Sequence, residues 1–165
     1  MNEKIIFEEK QRFTQIWLWA LVLFIAGLSW WFFIGQIIFG VPQGNNPAPD
    51  YLVIIIFVVF GILFPLFFIF CHLHVYIDDK YLKLRYFPLH LSYRSIELDK
   101  IINYQNIKYN PIIDCGGWGI KYGKYGITYN VKGNKAIFLV LESGKKILIG
   151  SQKADQFYSC LSGKK

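Results

Sequence analysis

Two uninterrupted apolar runs constrain this chain more than any other feature. Ile16 to Phe39 reads IWLWALVLFIAGLSWWFFIGQIIF and Tyr51 to Leu73 reads YLVIIIFVVFGILFPLFFIFCHL, and neither contains an Asp, Glu, Lys or Arg. At a helical rise of about 1.5 Å per residue, each is long enough to cross a hydrocarbon core about 30 Å thick. As the core of a small soluble domain they would leave too little polar surface to cover them. The expected arrangement is two transmembrane helices, residues 16–39 and 51–73, joined by an extracytoplasmic hairpin over residues 40–50. The hairpin, GVPQGNNPAPD, holds the Gly, Asn and Pro that end one helix and start another. Pro49 and Asp50 suit the first turn of the second helix. The first run is too long for a signal-peptide core, ends in no small-residue cleavage site and is followed by a second run, so it reads as a span.

Lys and Arg counts beside the runs set an orientation. Lys4, Lys10 and Arg12 precede the first, Lys80, Lys83 and Arg85 follow the second, and the hairpin has none. Positive residues stay inside, which predicts a multi-pass protein of the cytoplasmic membrane with both termini cytosolic. Trp17, Trp19, Trp30, Trp31 and Tyr51 lie toward the ends of the runs, where amphipathic rings favour the interface. Ser29 and Gln36 are the notable polar residues of the first run, and neither ionises. Transport paths usually place ionisable groups or broken helices at mid-depth, so the pair reads as an anchor. Gly27 and Gly61 permit close helix contact, and Pro65 is of a kind tolerated in such helices.

The formal charge of +7 is unevenly spread. In residues 1–15, Lys4, Lys10 and Arg12 balance Glu3, Glu8 and Glu9, whereas from His74 onward thirteen Lys and two Arg face seven acids. Such a basic domain beside a cytoplasmic leaflet gains roughly 1 kcal/mol per well-placed cation. A membrane tether argues against nucleic acid as the polyanion. Cys71, Cys115 and Cys160 are odd in number and widely spaced, which is neither a disulfide framework nor a paired zinc pattern, and fits a reducing compartment.

From His74 the pattern turns to short alternating runs. HVYID and YLKLRYF flank an Asp79–Lys80 turn, and KAIFLVLE and KKILIG flank Ser143–Gly144, both hairpin signals. LHLSYRSI and ITYNV add further strands. SQKADQFYSCL predicts a terminal helix with Ser151 as N-cap and Phe157, Cys160 and Leu161 on one face. The expectation for residues 74–165 is a small cytosolic, mainly-β domain of about seven antiparallel strands and a C-terminal helix, behind an N-terminal cytosolic segment of residues 1–15.

The strand order with a final helix is similar to pleckstrin-homology domains. The run GGWGIKYGKYGITYNVKGNKAIFLVLESGKKILIGSQKADQF resembles the bacterial PH-like domains of small membrane proteins of unknown function. In those, a Gly-Gly-Trp-Gly-Ile core precedes a hairpin ending in Ile-Gly-Ser or Ile-Gly-Thr and a short helix. The resemblance covers roughly His74 to Leu161, implies an interaction or scaffold role, and carries no catalytic residues.

Gly116, Gly117, Gly119, Gly123 and Gly126 fit neither a dinucleotide fingerprint nor a P-loop. They suit a bulge, sheet curvature or packing beside Trp118. The same stretch is the candidate contact surface: Trp118, Lys121, Tyr122, Lys124 and Tyr125 pair amphipathic rings with ammonium groups, as an interface with a partner or lipid headgroups needs. Cys71, His72 and His74 form a C-H-x-H cluster with metal-ligand chemistry, but lack further ligands unless His90 folds close, and read as residues leaving a helix. Asp78–Asp79, Glu97 and Asp99 read as solvated turn charges, and no hydrolase or metalloprotease motif occurs. The chain is therefore expected to be no enzyme and to need no metal or cofactor. Its expected partners are the bilayer and a protein or second copy of itself. Anionic lipid, or a transporter or channel served by the two spans, are the alternatives.

Overall fold

A computed structural model describes residues 5–163, so Lys4, one of the charges used to orient the chain, lies outside the described residues. The chain divides into two compact units, one of residues 13–70 and the other joining residues up to Arg12 with those from Cys71 onward.

The first unit is a helical hairpin of α1 (Ile16–Ile38) and α2 (Asp50–Phe70), both long and apolar enough to cross a membrane. Apolar residues occupy every side of each helix, and Leu23, Phe24, Trp31, Ile55 and Leu63 are exposed. Close contact occurs along one seam. Phe57 stacks on Phe33 at 4.0 Å and meets Trp30 edge-on at 4.7 Å, and the Trp30 indole donates to the Gly61 carbonyl at 3.3 Å. A Cβ on Gly61 would lie 2.9 Å from the Phe57 ring, which explains the glycine there. Gln36 fastens the end that carries the connection, donating to the Ala48 carbonyl at 2.7 Å and to Asp50 at 2.8 Å. The second helix stops at Phe70 rather than Leu73, because Leu73 alternates inward on a strand and is fully buried.

Among the described residues, the second unit contains nine strands in two sheets: β1 (Phe7–Arg12), β2 (His72–Ile77), β3 (Tyr81–Phe87), β4 (Arg94–Glu97), β5 (Ile101–Lys108), β6 (Gly119–Gly123), β7 (Gly126–Asn130), β8 (Lys135–Leu141) and β9 (Lys146–Gly150). A four-stranded sheet has the order β1-β2-β3-β4 and a five-stranded sheet the order β5-β8-β9-β7-β6. All pairings are antiparallel except β7 with β9, which is parallel. Where about seven antiparallel strands are expected from residue 74 onward, eight, β2 to β9, run from His72 to Gly150; β1 joins them from the N-terminal side, and one pair is parallel. The unit also holds two short α-helices, α3 (Pro111–Cys115) and α4 (Ala154–Ser162), and a 3-10 turn at Leu98–Lys100.

The β2–β3 hairpin follows directly from local chemistry. The Asp78 carboxylate accepts from the Lys80 and Tyr81 amides at 2.8 and 2.7 Å and pairs with Lys83 at 3.0 Å, although the residue is only 3% exposed. This is the side-chain mimicry of a turn that favours Asp. Burial works to raise its pKa, but the two amides and the Lys83 ammonium outweigh it and hold it below the usual 3.8. A carboxylate so depressed stabilises the fold fully above its unfolded value, and the contribution is lost as pH falls through the folded one. Asp78→Ala should therefore cost about 1–3 kcal/mol at neutral pH, the penalty of unpaired buried donors. In acid-unfolding curves monitored by circular dichroism, the wild-type advantage should shrink as pH falls below about 3.8.

Within the expected N-terminal segment, Phe7–Arg12 is a strand of the β unit. FEEKQR pairs along β2 from Phe7↔Ile77 to Arg12↔His72 and alternates buried and exposed. Its inward side chains join the end of the chain: Phe7 stacks on Phe157 of α4 at 4.8 Å. The Glu9 carboxylate accepts from the Ser151 hydroxyl at 2.5 Å and the Gln152 amide at 2.8 Å, and Gln11 donates to the Gly150 carbonyl at 2.6 Å. Ser151 accordingly does not cap the terminal helix, which begins three residues later; its hydroxyl is committed to Glu9 and accepts from the Lys153 amide. LHLSYRSI also differs from expectation, with residues 88–93 forming a connection and only Arg94–Glu97 a strand.

Candidate functional site

The Gly-rich stretch is built on a small polar framework. Asn110 caps α3, its side-chain oxygen accepting from the Ile112 and Ile113 amides at 3.0 and 3.2 Å, with Pro111 in the first turn. The Asp114 carboxylate accepts in return from the Asn110 amide at 2.8 Å. Gly116, at φ 72°, ends the helix in the left-handed conformation that favours glycine. Pro111 and Cys115 face inward, so Ile112 and Ile113 are turned outward and are 64% and 81% exposed.

The fully buried Asn130 fixes the start of β6. It accepts from the Gly119 amide at 2.8 Å, donates to the Tyr109 hydroxyl at 3.0 Å, and its carbonyl receives the Tyr86 hydroxyl at 3.2 Å. Burial pushes the Tyr109 phenol up to about 12, despite its bond to Asn130. The β6–β7 hairpin then turns through Lys124 and Tyr125, with its tip against α3. Gly123 is required there, because a Cβ would lie 2.7 Å from the Asp114 carbonyl oxygen.

This framework separates the five candidate contact residues. Lys121, Tyr122 and Lys124 are exposed, Tyr122 at 84%. Lys124 lies 3.9 Å from Asp114 and over the Tyr125 ring. Tyr125 packs edge-on against Phe138 at 5.6 Å, and Trp118 is half-buried. The exposed residues of this stretch are therefore Ile112 and Ile113 on α3 and Lys121, Tyr122 and Lys124 on the hairpin. The isoleucines were missed because a five-residue helix is too short to show a period, although Asn110-Pro111 followed by Gly116 carries the start and stop signals.

Strand alternation splits the C-H-x-H cluster. Cys71 is buried, and burial raises its thiol to about 11 in spite of a bond with Tyr86. Burial likewise raises the Cys115 thiol, with the Thr128 hydroxyl beside it pulling the other way. His74 stands on the opposite face between the Tyr93 hydroxyl at 2.7 Å and Glu8 at 2.8 Å. Among the described residues no group of three or more His, Cys, Asp or Glu side chains is placed to hold a metal ion.

Between β4 and the β8–β9 hairpin a cleft of about 570 Å³ is lined by Arg94, Glu97, Lys100, Tyr129, Glu142 and Lys145 among others. Within it Lys100 pairs with Glu97 at 3.0 Å and Arg94 donates to the Tyr129 hydroxyl at 2.9 Å.

A family model described as "Family of unknown function (DUF6141)" matches residues 2–163, and the chain belongs to that family. No curated protein matches it.

Proposed function

We propose that this chain is a membrane-anchored interaction module: α1 and α2 cross the bilayer, and a PH-like β domain at the cytosolic face binds a partner protein. The anchor reading is supported by helices that are apolar all round yet exposed, a pattern stable in lipid and unfavourable in water. The PH-like reading is supported by two packed sheets whose last strand leads into α4, seated against β5 and β8.

The observation that carries the binding role is the exposure of Ile113 and Tyr122 on a framework locked by Asn110 and Asn130. Exposed apolar and aromatic groups on rigid elements, with the exposed Lys121 and Lys124 in the same hairpin as Tyr122, have the composition of protein-binding hot spots. Ile113→Asp with Tyr122→Asp places two charges where desolvation must occur on binding. Both side chains are exposed, so the thermal midpoint should hold. Capture from native membranes in mild detergent should recover a partner with the wild-type chain and at least tenfold less with the double variant. Equal recovery by both, or recovery of further copies of the chain alone, would contradict the reading.

A further inference from the structure

Register brings one end of the four-stranded sheet next to both covalent junctions with the apolar helices. Arg12, the last residue of β1, lies opposite His72, the first of β2, and His72 lies opposite Phe87, the last of β3. Cys71 alone separates His72 from Phe70, where α2 ends. Two residues of chain span at most about 7 Å. That is about the thickness of one headgroup layer, the difference between a bilayer's total and hydrocarbon thickness shared over two faces. The covalent connection therefore keeps this end of the sheet at the lipid boundary if α2 spans.

The β3–β4 connection, residues 88–93, leaves the sheet at this same end and exposes Leu89 and Leu91, the latter at 80%. Cations surround its root. Lys10, His74 and Arg85 form one cross-strand row, and Arg12, His72 and Phe87 form the next. Lys10 and Arg12 are exposed, and the Arg85 guanidinium lies over the Tyr93 ring at 4.6 Å. Glu8 is the acid on this face of β1, and it is held by His74. Apolar tips beside an aromatic ring and a cationic row match the layered chemistry of an anionic bilayer surface, acyl chains beneath phosphates.

We infer that residues 88–93 are an interfacial wedge: Leu89 and Leu91 enter the headgroup boundary of the bilayer that holds the chain, and Lys10, Arg12 and Arg85 meet anionic lipid phosphates. This rests on α1 and α2 being membrane spans.

The test uses the full chain with Cys160→Ser, since Cys71 and Cys115 are buried, reconstituted in vesicles of phosphatidylglycerol and phosphatidylcholine. Nitroxide labels are placed singly at Leu91→Cys, at Leu23→Cys within α1, and at Lys80→Cys at the far end of β2. Accessibility to oxygen is compared with accessibility to a water-soluble nickel chelate. The Leu91 label should show an oxygen-to-nickel ratio several-fold above the Lys80 label and below the Leu23 label. Arg12→Glu with Arg85→Glu should return it toward the Lys80 value. A Leu91 label as water-accessible as Lys80, with Leu23 deeply immersed, overturns the wedge and leaves the spans intact. An unchanged ratio in the double glutamate variant overturns the phosphate assignment. A water-accessible Leu23 label overturns the spans and the wedge together.

Discussion

A chain lacking residues 1–12 is expected to lose the folded β unit. The deletion removes the antiparallel edge of the four-stranded sheet and, with it, the inward Phe7, Glu9 and Gln11 that stand beside the buried Ile77, Val75 and Leu73 of β2. Loss of the Phe7 side chain from its stack on Phe157 costs about 1.5–3 kcal/mol on burial alone. The buried Ser151 hydroxyl and Gly150 carbonyl lose Glu9 and Gln11, at about 1–3 kcal/mol for each group left unpaired, and the Gln152 amide loses its bond to Glu9. Those losses together reach about 5 kcal/mol, the lower end of what a small domain has in total. Limited proteolysis should degrade residues 72–163 of the truncated chain while the full chain keeps a protected core. Equal protection would mean that β1 adds nothing. For the same reason a fragment beginning at residue 74 is expected not to fold, and binding studies need the complete chain.

Gly126→Ala is expected to destabilise the β unit by about 3 kcal/mol or more. Gly126 sits at φ 77°, where an L side chain costs about 1–2 kcal/mol. Strain is the smaller part. A Cβ there would collide with the Lys146 carbonyl oxygen and lie 2.9 Å from the Lys146 Cβ. Both are on β9, which pairs with β7 through Ile127↔Ile147, so relief requires parting the parallel pair in the middle of the sheet. Gly144→Ala is the control, since Gly144 has the same φ of 77° but open space around its absent Cβ. At about 4–8 °C per kcal/mol for a domain of this size, Gly126→Ala should lower the thermal midpoint by more than about 12 °C. Gly144→Ala should cost only the strain. Equal shifts for the two variants would show that the close approach to β9 carries no energy.

How much of this was legible in the sequence depended on the distance over which each signal acts. The Asp79–Lys80 and Ser143–Gly144 hairpins were legible because the turn chemistry lies within a few residues of the strands it joins. The apolar helices were legible because composition alone sets their length. β1 was not. Of its three inward residues only Phe7 is apolar, and the partners that make Glu9 and Gln11 tolerable inside lie about 140 positions away. In sequence those residues look like a charge-balanced tail. The contact stretch was half legible: Lys121, Tyr122 and Lys124 are exposed, while Trp118 and Tyr125 turn partly into the fold. Nothing local separates an outward Tyr from an inward one when the strand is five residues long and rich in glycine. Leu89 and Leu91 went unread because alternation in LHLSYRSI suggested a strand, and only the register shows the loop at the helix junction.

Two membrane crossings with the β unit inside underlie both the proposed binding role and the wedge, and labelling with a membrane-impermeant maleimide tests them most directly. In a Cys160→Ser background, Asn45→Cys lies in the connection between α1 and α2, and Ser143→Cys lies in the β8–β9 turn; both positions are exposed. Intact cells should label Asn45→Cys and leave Ser143→Cys unlabelled until the membrane is permeabilised. Labelling of Ser143→Cys in intact cells, or protection of Asn45→Cys there, would contradict that topology.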